Sequence, residues 1–252
     1  MDTYYEELLM SNAKYCTLTV STNPASATCT LTYGGNSYSS KTATVKKGTI
    51  ISYSVYHSTY GTTTGSIVMD ANKILTCTGT SNTSYTEYGW TRPTLSSNGS
   101  MGGSSNACYS PDTMVNNNFA PYEAFNGTWS TSNDGFTVTK SQKSATLYYY
   151  TPTAIRPAEF KIEGYGNYGF SSVAVSGSND NSSYTSLTSY SGSIVNLWNQ
   201  KILQSSTSNY YKYFKFYFTT TSSTYSVGIS EIEFSGYYQT SSTTYSWTET
   251  IT

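Results

Sequence analysis

One stretch of this chain sets aromatic rings on a flexible backbone. Glu163-Gly-Tyr-Gly-Asn-Tyr-Gly-Phe170 places Tyr165, Tyr168 and Phe170 between three glycines. Glycine frees the backbone, and rings held in such a loop form a candidate contact surface made of flat apolar faces. The competing reading is that the same rings fold back as a cap over the end of a β-sandwich. Trp198, with Asn196, Asn199 and Gln200 around it, is a second candidate contact group. Both are sites for binding rather than bond-making. The single histidine, His57, has no predicted acid or nucleophile beside it. Glu231 and Glu233 fall on one face of a strand pattern and could mimic a glycosidase carboxylate pair, but outward carboxylates more often solvate a strand. G-x-S-x-G, H-E-x-x-H and P-loop patterns are absent from the sequence. The expectation is a protein that is not an enzyme.

Composition points the same way. Charged residues make up 11% of 252 positions, against about a quarter in an average domain, and the net charge is −1. With no basic patch, nucleic acid is not an expected partner. No apolar run approaches the roughly 20 residues that span a bilayer, so membrane insertion is not expected. Twenty-seven tyrosines accompany abundant Ser, Thr, Asn and Gly. Tyr and Thr favour strands, and Gly and Asn favour turns, so the fold class expected is all-β. Cys16, Cys29, Cys77 and Cys108 have neither C-x-x-C spacing nor histidine company, which argues against zinc and for buried thiols.

Five regions follow from the patterning. Residues 1–14 form an N-terminal arm, either frayed or a docking peg with Tyr4, Tyr5, Leu8 and Leu9 on one side. Residues 15–80 read as a small antiparallel β domain. Cys16 to Val20 alternates, Asn23-Pro24 turns, and Lys46-Lys47-Gly48 and Asp70-Ala71-Asn72 each sit between alternating runs as hairpin signals. Residues 81–105, rich in Ser, Thr, Asn and Gly, read as a linker or as the irregular lead-in of the next domain, with Trp90 and Pro93 pointing to partial packing. Residues 106–236 carry the clearest strands. Phe160 and Ile162 alternate with charged neighbours, Phe214, Phe216 and Phe218 with Tyr213, Lys215 and Tyr217, and Ile232 and Phe234 with Glu231 and Glu233. Such runs bounded by turns predict a two-sheet sandwich. Residues 237–252 are an extension without an assigned role.

The stretch "LTVSTNPASATCTLTYGG…ATVKKGTIISYSVYHSTYG" resembles PEGA-like and bacterial Ig-like modules, which are spacers or stalks. From Ala124 onward a second resemblance runs in order along the chain. Ala124-Phe-Asn-Gly-Thr-Trp129, Phe160-Lys-Ile-Glu-Gly-Tyr165, the polar turn Gly177-Ser-Asn-Asp180, Tyr211-Lys-Tyr-Phe-Lys-Phe216 and Ile229-Ser-Glu-Ile-Glu-Phe-Ser-Gly236 resemble the motifs of discoidin, or coagulation factor 5/8 type C, modules. The architecture expected is therefore a small Ig/PEGA-like β-sandwich followed by a discoidin-like jelly-roll.

That second resemblance implies a ligand at one end of the sandwich, gripped by loops, and so a glycan-binding role for Tyr165, Tyr168, Phe170 and Trp198. It implies that Trp129 packs inside. It also implies a structural Ca²⁺ near the Ala124–Trp129 element, with Asn126, Thr128 and Glu231 as conceivable ligands, although Asn126 stands where the family carries aspartate. The first residues lack the basic leader of a signal peptide, and the charge-poor, Tyr/Ser/Thr/Asn-rich style resembles phage tail-fibre and head-fibre proteins. The expectation drawn from both is a virion surface protein of a bacteriophage, made in host cytoplasm and released by lysis. It would bind host-cell glycan as a homo-oligomer beside other virion proteins. A structural collar, tail or decoration protein and a bacterial surface adhesin are the alternatives.

Overall fold

In a computed structural model of the chain, residues 14–129, 134–196 and 198–252 are described, so the predicted N-terminal arm lies outside the described residues except for Lys14. The described residues are almost entirely strand and turn. Among them no helix is long and apolar enough to cross a membrane. They divide into two compact units, residues 14–85 with 241–252, and residues 86–240.

The first unit holds β1 (Tyr15–Asn23), β2 (Thr28–Tyr33), β3 (Asn36–Ser39), β4 (Thr42–Lys46), β5 (Ile50–His57), β6 (Gly61–Val68) and the first part of β7 (Lys73–Thr91). One sheet has the order β3-β2-β5-β6, and β4, β1 and β7 neighbour one another in the other. Alternation decides which side chains meet between them. Leu18, Leu31, Ile51, Val55 and Leu75 are fully buried, with Cys16, Cys29 and Cys77 in the same core. The four cysteines are all buried free thiols.

Two predicted hairpins are corrected here. β4 pairs with β1, whereas β5 pairs with β2 and β6, so Lys46-Lys47-Gly48 carries the chain from one sheet to the other. Asp70-Ala71-Asn72 does the same, because β7 pairs with β1, and that pairing is parallel, with Leu75 opposite Val20. The predicted antiparallel domain thus contains a parallel pair. Turn residues specify a reversal of direction, not whether the next strand stays in the same sheet.

The predicted linker is also corrected over its first part, while residues 92–105 are irregular. Residues 81–91 are strand, the second part of β7, where Thr, Ser and Tyr supply extended backbone without an apolar face. The extension belongs to β15 (Gly228–Ile251). The chain leaves the first unit within β7 and re-enters it within β15. There Ile74 and Thr252 exchange backbone hydrogen bonds of 2.7 and 3.0 Å. Tyr53 donates its hydroxyl to Glu249 at 2.5 Å, and Trp247 Nε1 donates to Gly61 O at 3.1 Å. Burial, and then Glu249, push the Tyr53 hydroxyl pKa up.

The second unit adds β8 (Ala107–Tyr109), β9 (Phe136–Thr137), β10 (Ser144–Gly164), β11 (Gly169–Ser178), β12 (Thr185–Asn196), β13 (Gln200–Gln204) and β14 (Tyr211–Thr219), with 3₁₀ turns at Asn117–Phe119 and Pro121–Phe125. It is an antiparallel β-sandwich of the jelly-roll kind. β10 makes the corner. Residues 144–150 pair with β14 and β8, while residues 155–163 pair with β13 and β15. The ladder with β14 breaks between Tyr150 and Ile155, where Pro152 has no N–H to donate. Aromatic rings fill the space between the sheets. Phe234 lies 5.2 Å from Tyr149, 5.3 Å from Phe160 and 5.0 Å from Phe214, ring centre to ring centre. Burying each such ring stabilises the fold by about 1.5–3 kcal/mol.

Candidate functional site

The aromatic turn closes one end of the second unit. β10 stops at Gly164 and β11 starts at Gly169, so four residues reverse the chain. Tyr168 N donates to Tyr165 O at 2.8 Å, and Gly166 takes the left-handed φ of +48° that the reversal needs. Two further glycines seat the rings. A Cβ on Gly228 would lie 2.5 Å from Tyr168 Cβ, and one on Gly135 would lie 2.9 Å from the Tyr165 ring and 2.7 Å from Ile229 O. Only glycine lets these backbones come so close.

The four predicted contact residues separate into two pairs. Phe170 is fully buried, with its ring 5.3 Å from that of Phe218, and is a core residue. Tyr165 is 8% exposed and packs edge-to-face between Phe119 at 5.5 Å and Trp198 at 5.1 Å. As contact residues both are corrected. Phe170 is the second residue of β11, and its side chain falls on the inward face of the pleat, while Tyr165 is roofed by its neighbours. Tyr168 and Trp198 are half-buried, with part of each ring at the surface. Tyr168 meets Tyr225 edge-on at 5.2 Å.

Sequence reasoning missed Phe119 and Tyr225. Each sits in a polar, irregular stretch with no alternation to mark it, and the fold alone brings it here. The cluster is therefore Phe119, Tyr168, Trp198 and Tyr225, all half-buried, grouped on and around the buried Tyr165. Asn167 and Asn199 stand exposed in the same loops. Trp198 holds φ at +64°, a left-handed conformation that costs a residue with a Cβ about 1–2 kcal/mol. The arrangement offers flat apolar faces flanked by amide donors and acceptors.

A second polar constellation lies around the 3₁₀ turn at Pro121–Phe125. Glu231, predicted as an outward strand carboxylate, is fully buried. Its Oε1 accepts from Arg92 Nη2 at 2.5 Å and its Oε2 from Gly127 N at 2.9 Å. Burial pushes the Glu231 carboxyl up, while the Arg92 guanidinium and the Gly127 N–H, which both bond the ionised form, pull it down. Glu163 is buried as well and accepts from Gln200 Nε2 at 2.8 Å. Asn126 Nδ2 donates to Glu123 at 2.8 Å and to Asp134 at 2.7 Å, and its Oδ1 accepts from Thr128 N at 2.8 Å. Burial and the neighbouring Asp134 carboxyl raise the Glu123 pKa.

These bonds do not fit the calcium set of Asn126, Thr128 and Glu231. Asn126 Oδ1, the oxygen it would offer a metal, already accepts from Thr128 N, and both Glu231 oxygens serve N–H donors, one of them a permanent cation. Trp129, expected inside, is half-buried, with Lys161 Nζ 4.3 Å from its ring centre. That cation–π contact gives the indole a partner outside the apolar core.

No family model matches the chain, and no curated protein matches it. Several solved structures are similar in fold. Chitosan-binding module 1 from a chitosanase/glucanase of Paenibacillus sp. IK-5 is 15% identical, with a TM-score of 0.43 over 51% of this chain and 93% of that one. An F5/8 type C domain from Bacteroides fragilis is 10% identical, with a TM-score of 0.43 over 52% of this chain and 91% of its own. The module CBM32-5 of Clostridium perfringens, solved in complex with GalNAc-beta-1,3-galactose, is 11% identical, with a TM-score of 0.43 over 51% and 94%.

Proposed function

We propose that the second unit is a non-catalytic saccharide-binding module, with Tyr168 and Trp198 as the rings that meet the sugar. The observation that carries this reading is the cluster of half-exposed rings at one end of a rigid sandwich, with the exposed amides of Asn167 and Asn199 beside it. A pyranose has an apolar face of C–H groups and a rim of hydroxyls. Stacked rings meet the first, and side-chain amides meet the second. Phe119 and Tyr225 flank the two contact rings, and Tyr165 supports them from below.

The wider setting is part of the same proposal. A charge-poor, tyrosine-rich chain of β modules suits the surface of a bacteriophage particle, where repeated copies turn weak single sites into avid attachment to host-cell glycan. A second reading, assembly with other virion proteins or with further copies of this chain, draws on exposed tyrosines such as Tyr85 and Tyr245. Glycan-array binding of the purified chain, repeated with Trp198→Ala, tests the saccharide reading. Signal on a defined set of glycans that disappears with the variant supports it, and no retention on any saccharide overturns it in favour of assembly.

A further inference from the structure

Arg92 follows directly on β7, yet its side chain is not a surface cation: it is buried, with 1% of the side chain exposed. Its backbone N donates to Phe234 O at 2.9 Å, fixing the residue beside β15. The guanidinium then makes a fan of contacts, all to oxygen. Nη1 donates to Pro93 O at 2.6 Å and Phe125 O at 2.5 Å, and Nη2 donates to Glu231 Oε1 at 2.5 Å. Nε is buried and unpartnered. The Phe125 ring centre lies 5.7 Å from the guanidinium carbon.

Two main-chain carbonyls and a carboxylate converging on one buried positive charge are the kinds of oxygen that a hard metal ion collects. Here the positive charge is covalently part of the chain. We propose that the Arg92 guanidinium is the built-in cation of this module, holding the Pro121–Phe125 turn and the closing strand together in the place of a divalent metal. Guanidinium does not lose its proton in proteins, so the charge is constant across pH and independent of any cation supply. The positive charge also bars a second cation from Glu231. Among the described residues, removing it leaves a buried carboxylate with only the Gly127 N–H, together with carbonyls that have lost their donor. It also leaves space lined by oxygen.

The test uses the full chain. Thermal unfolding is recorded in millimolar CaCl₂ and in EDTA, together with titration by Tb³⁺, whose emission nearby Tyr and Trp residues would sensitise. The native chain is expected to melt at the same temperature in both solutions and to give no saturable Tb³⁺ emission. Arg92→Ala is expected to melt about 10 °C lower and to recover part of that loss in calcium. Arg92→Lys, which keeps the charge with fewer donors, is expected to lose less and to ignore calcium. A calcium-raised or EDTA-lowered midpoint in the native chain, or saturable Tb³⁺ emission lost in Glu231→Gln, overturns the proposal. So does a folded Arg92→Ala that calcium leaves unmoved. The native-chain measurements decide the matter even if Arg92→Ala fails to fold.

Discussion

β11 has a turn at each end, and the two differ in where their hydrogen-bonding capacity goes. At its far end Asp180 Oδ1 accepts from Ser178 Oγ at 2.8 Å, Ser182 N at 2.9 Å and Ser183 N at 2.8 Å. Asn179 accepts from Lys212 N at 3.1 Å and donates to Tyr210 O at 2.8 Å. Asn181, at φ +59°, takes the left-handed place that asparagine tolerates. Those groups are spent within the turn or on fastening it to the adjoining start of β14. At the near end the rings of Tyr168 and Trp198 are only half covered, and Asn167 and Asn199 face solvent. A loop rich in polar atoms is thus the structural one, and a loop rich in rings is the one with unspent contact capacity. What matters for binding is what a loop leaves unsatisfied.

Substitutions along β11 and at its ends put that contrast at risk. The largest effect is expected at Phe170. Replacement by alanine opens a cavity beside Phe218 and should cost about 3–5 kcal/mol in urea unfolding. A stable Phe170→Ala that had merely lost saccharide would return this ring to the contact surface. Next comes Trp198→Ala, expected to weaken saccharide binding at least tenfold, about 1.4 kcal/mol, in isothermal titration. Trp198→Gly sharpens the point. It relieves the left-handed backbone while losing the ring contact with Tyr165, so its stability should stay within about 1 kcal/mol of the parent while binding is lost. Equal losses of stability and binding would make Trp198 a packing residue.

The smallest effect belongs to the polar turn. Backbone N–H groups of Ser183 and Ser182, and then the Ser178 hydroxyl, hold the Asp180 carboxyl well below the usual carboxylate range. Its folded pKa lies below the unfolded value of about 3.9, so its contribution is present above that pH and is lost as pH falls through the acid range toward the folded value. Asp180→Asn should flatten the acid limb of a stability-versus-pH curve and leave saccharide binding unchanged. Lost binding in that variant would give the polar turn a contact role after all.

What could be read in the sequence follows physical range. Alternation is local, so Phe214, Phe216 and Phe218, and Ile232 with Phe234, announced both their strands and their inward faces. The glycines around Tyr165 and Tyr168 announced a turn. Whether its rings were covered depended on Phe119, Tyr225, Gly135 and Gly228, which no local pattern ties to it. Phe170 looked like loop because its glycine neighbour masked the start of β11. Glu231 looked like a solvated carboxylate because Arg92, 139 positions earlier, gives no hint of its partner. The two misread hairpins in the first unit failed for the related reason that a turn motif does not say which sheet receives the next strand.

The return of β15 to the first unit sets an order in time. Residues 14–85 emerge from the ribosome before residues 86–240, but the strand carrying Trp247 and Glu249 emerges after them. The second unit is in this sense an insertion within a discontinuous first one. Its own residues are all available while the earlier-made unit still lacks a strand. Of the two modules, the one begun earlier is therefore the one that closes later, and until then Tyr53, Thr63 and Gly61 await partners not yet translated.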